Sequence, residues 1–504
     1  MIRVFLILTG IFGLFVSAPL QAQETFEEWK EKQEKEYQSF KDERDKEFVK
    51  FLKEKWKFVE SYGGEGLYEE SKPDELPKAD NKEQRTDFSD DSPKVEIPEP
   101  SADSPGRKDR DKKVQTQKPE PEKSAGESGE KKASMANFNE ARLTFFKEPT
   151  QWMYDPAMKV SFKAASKKKK EAEIGKFWEK LSKTQYGPLL DQCESRKQRM
   201  KLNDWGYTLM LYNLGGSIYG DDTPEQRLFT WFMLTKSDYN ARIGYNENTL
   251  RILLPVRNGL YNTSYYTIND TKYYSVRLAE SDKKAPSLYT YEGSYPGAQE
   301  PIDMQFYDTP DFTSNYDEKT LKFTYNGSTH KFKIPYNPTL LDFYENYPQT
   351  GLRVYFSAPV DEQTSKELLN QLKPLVKDKN ETQAVNLILR FVQTAFEYKV
   401  DEKQFGREKY MLPEETLYYP YSDCEDRSVL FAYLVRNLTG LEVIGIKYPG
   451  HLATAVNFST NPGGDSVTWN GTTYTVADPT YVNADIGMSM DKYKNKQPEI
   501  IKIP

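Results

Sequence analysis

Three residues in the C-terminal part of the chain have the types needed for nucleophilic catalysis: Cys424, His451 and Asp478. Cys424 lies in Tyr421-Ser-Asp-Cys424-Glu-Asp-Arg-Ser-Val-Leu, a run that continues through Leu434 and Leu438 to Gly440. Leu430, Leu434 and Leu438 recur at helical spacing, Gly440 is a stop signal, and Ser422 followed three residues later by Glu425 has the form of a capping box. The thiol is therefore expected in the first turn of a helix. There the free N–H groups and the helix dipole favour a thiolate, and the same N–H groups suit an oxyanion. A strand is expected over Leu441–Tyr448. Pro449-Gly450 turns the chain, and His451 opens a second strand through Val456. A third strand, Thr473–Ala477, ends at Asp478-Pro479-Thr480. If the second and third strands pair antiparallel, the start of one meets the end of the other, and Asp478 comes beside His451. That gives a nucleophile, a base and a carboxylate to orient the base. Each residue also has a plainer reading: a buried thiol, a satisfied core histidine, a turn aspartate.

The other candidates carry less. Tyr421, just before the cysteine loop, is a weak substrate or oxyanion contact. Cys193 reads as an ordinary helix residue and His330 as an exposed strand residue beside the Asn326-Gly327 hairpin turn. Two Cys and two His scattered this widely make no zinc site, so neither metal nor cofactor is expected.

The blocks Asp423-Cys424-Glu425-Asp426, Gly450-His451 before a strand, and Val476-Ala-Asp478-Pro479-Thr480 resemble the transglutaminase-like core of bacterial proteins, which has a papain-like fold. The resemblance covers roughly residues 362–485. It implies an α+β domain, a helix bearing Cys packed on an antiparallel sheet bearing His and Asp. It also implies acyl transfer through a Cys thioester by a peptidase, an amidase or a cross-linking transferase, with a peptide or protein as substrate. One departure is Leu452-Ala453 after the histidine, where many relatives have a small residue and then an aromatic; this bears on the pocket's shape.

The rest of the chain divides by composition. Residues 1–22 have the form of a signal peptide, with Arg3, an apolar run from Val4 to Val16 and small residues up to Ala22. The expectation is an exported chain, periplasmic or extracellular, with no transmembrane segment once mature. Residues 23–62 repeat aromatics at Phe26, Tyr37 and Phe48 among charged residues. An 11-residue period keeps them on one side of a nearly straight helix. That helix is read as solvated, membrane-surface, or a means of self-association or partner docking through 24–60. Residues 63–135 are rich in Pro, Asp, Lys, Ser and Glu and read as a disordered linker. Residues 136–285, helical and then β, contain a pattern similar to the catalytic region, although similarity of this kind also arises by chance. Here Thr223-Pro224-Glu-Gln-Arg227 parallels Asp423-Cys424-Glu-Asp-Arg427, Tyr245 matches Tyr448 and Asn248 matches His451. This reads as a degenerate transglutaminase-like copy without a triad. Residues 286–360 are expected to be β-rich, and 361–504 to be the catalytic domain.

The bulk numbers narrow the classes. A chain of 504 residues allows roughly three domains at about 150 residues each. A net charge of −7 argues against nucleic-acid binding. Two cysteines exclude a disulfide framework. The competing function is a non-catalytic envelope binding or assembly protein on the same scaffold.

Overall fold

A computed structural model describes residues 43–66, 72–79, 92–98, 137–163, 167–282 and 287–503. The architecture is α+β, built around two antiparallel sheets with helices packed on them. Among the described residues no helix is long and apolar enough to cross a membrane. The signal-peptide reading of 1–22 lies outside the described residues.

The first half packs the helices Asp204–Tyr219 and Pro224–Lys236 with a six-stranded sheet. Its strand order is Trp56–Val59, Leu288–Tyr291, Arg242–Tyr245, Leu250–Pro255, Thr271–Ser275, Tyr265–Ile268. The second half packs Glu381–Ala395 and Cys424–Thr439 with a five-stranded sheet. Its order is Glu499–Lys502, Val443–Tyr448, His451–Val456, Thr472–Ala477, Ser466–Trp469. With the edge strand Trp56–Val59 set aside, the two orders are the same, step for step. The registers also agree. Tyr245 pairs with Leu250 as Tyr448 pairs with His451. Leu253, three residues into its strand, pairs with the terminal Ser275, as Thr454 pairs with the terminal Ala477. Even the caps correspond: Asn203 and Asn380 each accept from the backbone N–H three residues on.

The repeat fixes what stands in the first half opposite each of the three candidate residues. Pro224 opens its helix where Cys424 opens the other. Leu250 takes the place of His451 and Val276 that of Asp478. The match expected between Asn248 and His451 is corrected by two residues. The first hairpin has a four-residue loop and the second only Pro449-Gly450, so matching by distance from the tyrosine lands in the loop.

The N-terminal expectations need larger corrections. Residues 43–54 are helical, but 56–59 are a strand of the first sheet, so 23–62 is not one continuous helix. Nor is the helical piece autonomous. Phe48, Val49 and Leu52 are buried in the core, and Phe48 meets Trp178, Tyr291 and Tyr295 with ring centroids 4.7–5.5 Å apart. The repeat before residue 43 lies outside the described residues. Within the stretch read as a linker, 72–79 and 92–98 are docked on the body. Val95 N–H donates to Lys379 O at 3.0 Å, and Ser92 hydrogen-bonds Thr382. The stretch 286–360 contains the expected hairpin, Asp317–Tyr325 with Ser328–Tyr336, turning at Asn326-Gly327 with φ of 47° and 77°. Beside its strands it also holds the helices Pro338–Glu345 and Leu352–Ser357. The hairpin belongs to the second half by packing: Phe323 and Phe332 lie edge-on to Phe391 of the helix Glu381–Ala395.

Candidate active site

The cysteine helix spans Cys424–Thr439 and ends at Gly440 in the left-handed region, φ 71°, as expected. Its N-cap is Asp423 rather than Ser422. Asp426 Oδ2 accepts from Asp423 N–H at 3.1 Å, and Asp426 Oδ1 from Met411 N–H at 3.0 Å. Ser422 instead accepts from Arg427 Nε at 3.1 Å. The capping box is thus displaced by one residue, and Cys424 takes the first helical position.

The cysteine helix packs on the histidine strand. Ser428, one turn beyond Cys424 on the same face, donates its hydroxyl to Leu452 O at 3.1 Å. His451 immediately precedes Leu452. His451 Nε2 lies 2.8 Å from Asp478 Oδ2. His451 Nδ1 is buried with no hydrogen-bond partner among the described residues. Asp478 follows the strand Thr472–Ala477 and is fixed on both sides: Oδ1 accepts from Thr480 and Tyr481 N–H at 2.9 and 3.2 Å, and Gln393 Nε2 reaches its carbonyl at 3.2 Å. Tyr493 stacks flat on the imidazole, centroids 5.0 Å apart and planes at 9°.

Arg427 ties this assembly together. It is fully buried, and its guanidinium donates to Gln393 O at 3.3 Å and Phe396 O at 2.9 Å as well as to Ser422. The cysteine helix is thereby locked to the C-terminal end of Glu381–Ala395, the helix whose Gln393 holds the Asp478 loop. In the first half Arg227 stands at the same helical position, paired with Asp222 and Asp282.

The electrostatics around the thiol differ from expectation. Cys424, His451 and Asp478 are all buried. Burial pushes the Cys424 thiol well above its ordinary range, Glu425 and Asp423 push the same way, and Lys72 opposes them. The helix N-terminus does not win here: its effect amounts to about 1–2 kcal/mol at best, less than full burial among carboxylates imposes. The thiol instead donates to Glu425 Oε2 at 2.8 Å. The other oxygen of that carboxylate lies 2.9 Å from Lys72 Nζ. Lys72 also meets Asp423 at 2.6 Å, Glu408 at 2.6 Å and Asp401 at 3.3 Å. Glu425 resists its burial and is held at about 2 by Lys72 and by hydrogen bonds from Asp423, Cys424 and Lys72 itself. Burial and the charge on Glu425 raise Asp423 well above the carboxylate range. Burial, then Asp426, raises Asp401 to about 8. The ligand atoms of Asp423, Cys424 and Glu425, and those of Asp401, Asp423 and Asp426, lie within 4.8 Å of one another. The cation seated on the first group is the chain's own Lys72.

Of the residues singled out from sequence, His451 and Asp478 are in contact and Cys424 is on the helix packed beside them. Tyr421 is half-buried in a two-residue strand with Lys399 4.4 Å over its ring. Cys193 is a buried helix residue whose thiol is pushed up by burial. His330 is half-buried, not exposed, stacked on Phe323 at 5.1 Å. Sequence reasoning missed Lys72, Asp401, Arg427, Gln393 and Tyr493. Arg427 carried a usable signal, an arginine one turn from the cysteine just ahead of the run Val429–Val435. Lys72 carried none.

No family model, no curated protein and no solved structure matches this chain.

Proposed function

We propose that the chain is a cysteine-dependent acyl-transfer enzyme, a peptidase, amidase or transglutaminase-like transferase on a transglutaminase-like scaffold, acting on peptide or carboxamide bonds. The observation that carries the reading is His451. One ring nitrogen is tied to Asp478, the other has no hydrogen-bond partner among the described residues, and the strand it opens is the one the cysteine helix packs on. Buried side-chain nitrogens of a core histidine are ordinarily hydrogen-bonded.

In this mechanism His451, held in one tautomer by Asp478, accepts the Cys424 proton at Nδ1. The thiolate attacks the carbonyl carbon, and backbone N–H groups of the helix's first turn stabilise the oxyanion. The tetrahedral adduct collapses as His451 protonates the leaving amine, leaving a thioester. Water or an amine then takes the acyl group. The first half, with Pro224, Leu250 and Val276 in the three positions, is a degenerate copy that serves as scaffold or substrate-binding half. The leader-like N-terminus supports export to the periplasm or beyond.

The second reading, a non-catalytic binding or assembly protein, is favoured by one observation: Cys424 is buried and bonded to Glu425. A screen of peptide and cell-wall peptide libraries with intact protein and with Cys424→Ala decides between them. Loss of all amide cleavage or transfer in a folded Cys424→Ala variant is expected. Equal turnover by both proteins would remove the cysteine mechanism.

A further inference from the structure

The segment 72–79 reaches from one wall of the Cys424 site to the other. At its start Lys72 is buried among Asp423, Glu425, Asp401 and Glu408, and Pro73 O accepts from Tyr398 OH at 2.7 Å. Tyr398 pairs with Ser422, two residues before the cysteine. Asp74 meets Lys403 at 2.8 Å. At its end the segment bridges the loop after Asp478: Val482 N–H donates to Pro77 O at 3.0 Å, and Ala79 N–H to Val482 O at 2.8 Å. The segment bends at Asp74 and Glu75, so it is held at its two ends, by a side chain sunk in a pocket at Lys72 and by one backbone bridge between Lys78 and Val482, both of them means by which a cleft holds a peptide. The pocket is specific in charge. It surrounds one ammonium with four acidic side chains, of which Asp423 and Asp401 hold their protons more tightly than free carboxyls, and Glu425 touches that ammonium with one oxygen and the Cys424 thiol with the other.

We propose that residues 72–79 are an internal strap, that Lys72 fills a cation subsite of the Cys424 site, and that a lysine side chain of an external peptide takes this subsite when the strap withdraws. The proposal rests on the acyl-transfer reading and adds its specificity and its control. An ammonium paired with the charged Glu425 has no lone pair to offer, so the subsite recognises the ligand and does not supply an acyl acceptor. Withdrawal removes Lys72, which favours the thiolate, but it also wets the thiol. Burial is the first of the influences that raise that thiol, and opening the site removes it and admits a reagent.

The test is alkylation of Cys424 by iodoacetamide in the full chain, read on the peptide that contains Cys424. Lys72→Met removes the ammonium. Ala79→Pro removes the donor to Val482 and leaves the acidic pocket untouched, so it decides the matter where Lys72→Met fails to fold. Both variants should be alkylated at least about tenfold faster than the unaltered chain, because a thiol under a strap reacts only through local opening. A short acetylated peptide containing lysine should slow alkylation of the opened variants, and the same peptide with norleucine should not. Unchanged alkylation in variants with native circular dichroism overturns the strap. Equal protection by the lysine and norleucine peptides overturns the cation subsite. Peptide cleavage is scored separately. Fast alkylation without turnover refutes the chemistry and leaves the strap, whereas turnover with unchanged alkylation refutes the strap alone.

Discussion

Asp478 divides its two oxygens between separate tasks: one faces His451 and the other accepts the N–H groups that close its own turn. Asp478→Asn keeps the size of the side chain and can keep the turn, but it loses the charge that fixes the imidazole tautomer. Turnover should fall by at least about 10²-fold with the melting temperature nearly unchanged. Steady-state rates beside a thermal melt check this, and a rate within a few-fold of the parent would mean Asp478 does not orient the base. The pairing of these two residues was legible because a strand that opens at His451 and one that closes before Asp478 leave little choice once they pair antiparallel. The state of the thiol was not legible. Its surroundings depend on Lys72 and Asp401, far away in sequence, and no local pattern reports a distant carboxylate. The capping residue slipped by one because Ser422 and Asp423 are both good caps, and Arg427 claimed the serine.

Elements are held in place here by a few buried polar anchors inside large aromatic packing. Arg427 is the anchor between the cysteine helix and its neighbour. Arg427→Met would leave the carbonyls of Gln393 and Phe396 without their donor in a dry interior. A loss of at least about 3 kcal/mol is expected, and Arg427→Lys should recover only part of it because an ammonium lacks the planar fork. Urea unfolding of the three proteins measures this, and a midpoint unmoved in Arg427→Met would reduce the residue to filler. At the N-terminal side, Phe48→Ala should cost about 3–5 kcal/mol, as for a core aromatic, and a shift under 1 kcal/mol would restore the picture of a free-standing helix. Of the 11-residue aromatic period only Phe48 falls in a described helix, 43–54, since Phe26 and Tyr37 lie outside the described residues and the series ends in a strand at Val59. The period could not tell which surface would cover Phe48, and the cover is this chain's own Trp178, Tyr291 and Tyr295. The strand Trp56–Val59 was hidden by its charged company, since an edge strand alternates lysine with aromatics as freely as a helix does.

The whole molecule carries a set of buried acids whose protons matter to its stability. Glu414 is raised to about 8 by burial and then by Asp361, and Asp401 also stands at about 8. In the unfolded chain both release their protons near pH 4. Between roughly pH 4 and 8 the folded state therefore holds more protons than the unfolded one, and stability falls as pH rises through that window. Glu425 runs the other way: held at about 2, its contribution is complete above its unfolded pKa and lost only as pH falls through 2. The urea midpoint should be higher at about pH 5 than at about pH 8.5; the reverse order would mean these carboxyls are ionised in the folded protein.

Lys72 and Asp423 are separated by 351 positions. A ribosome adding about 5–20 residues per second makes the lysine roughly 20–70 s before it makes the carboxylate that will hold it. For that interval the strap has nowhere to sit, and the helix that bears Cys424 is among the last parts of the pocket to be made. The site is therefore assembled in time as a late closure, with the piece that seals it synthesised first and seated after the cysteine helix exists.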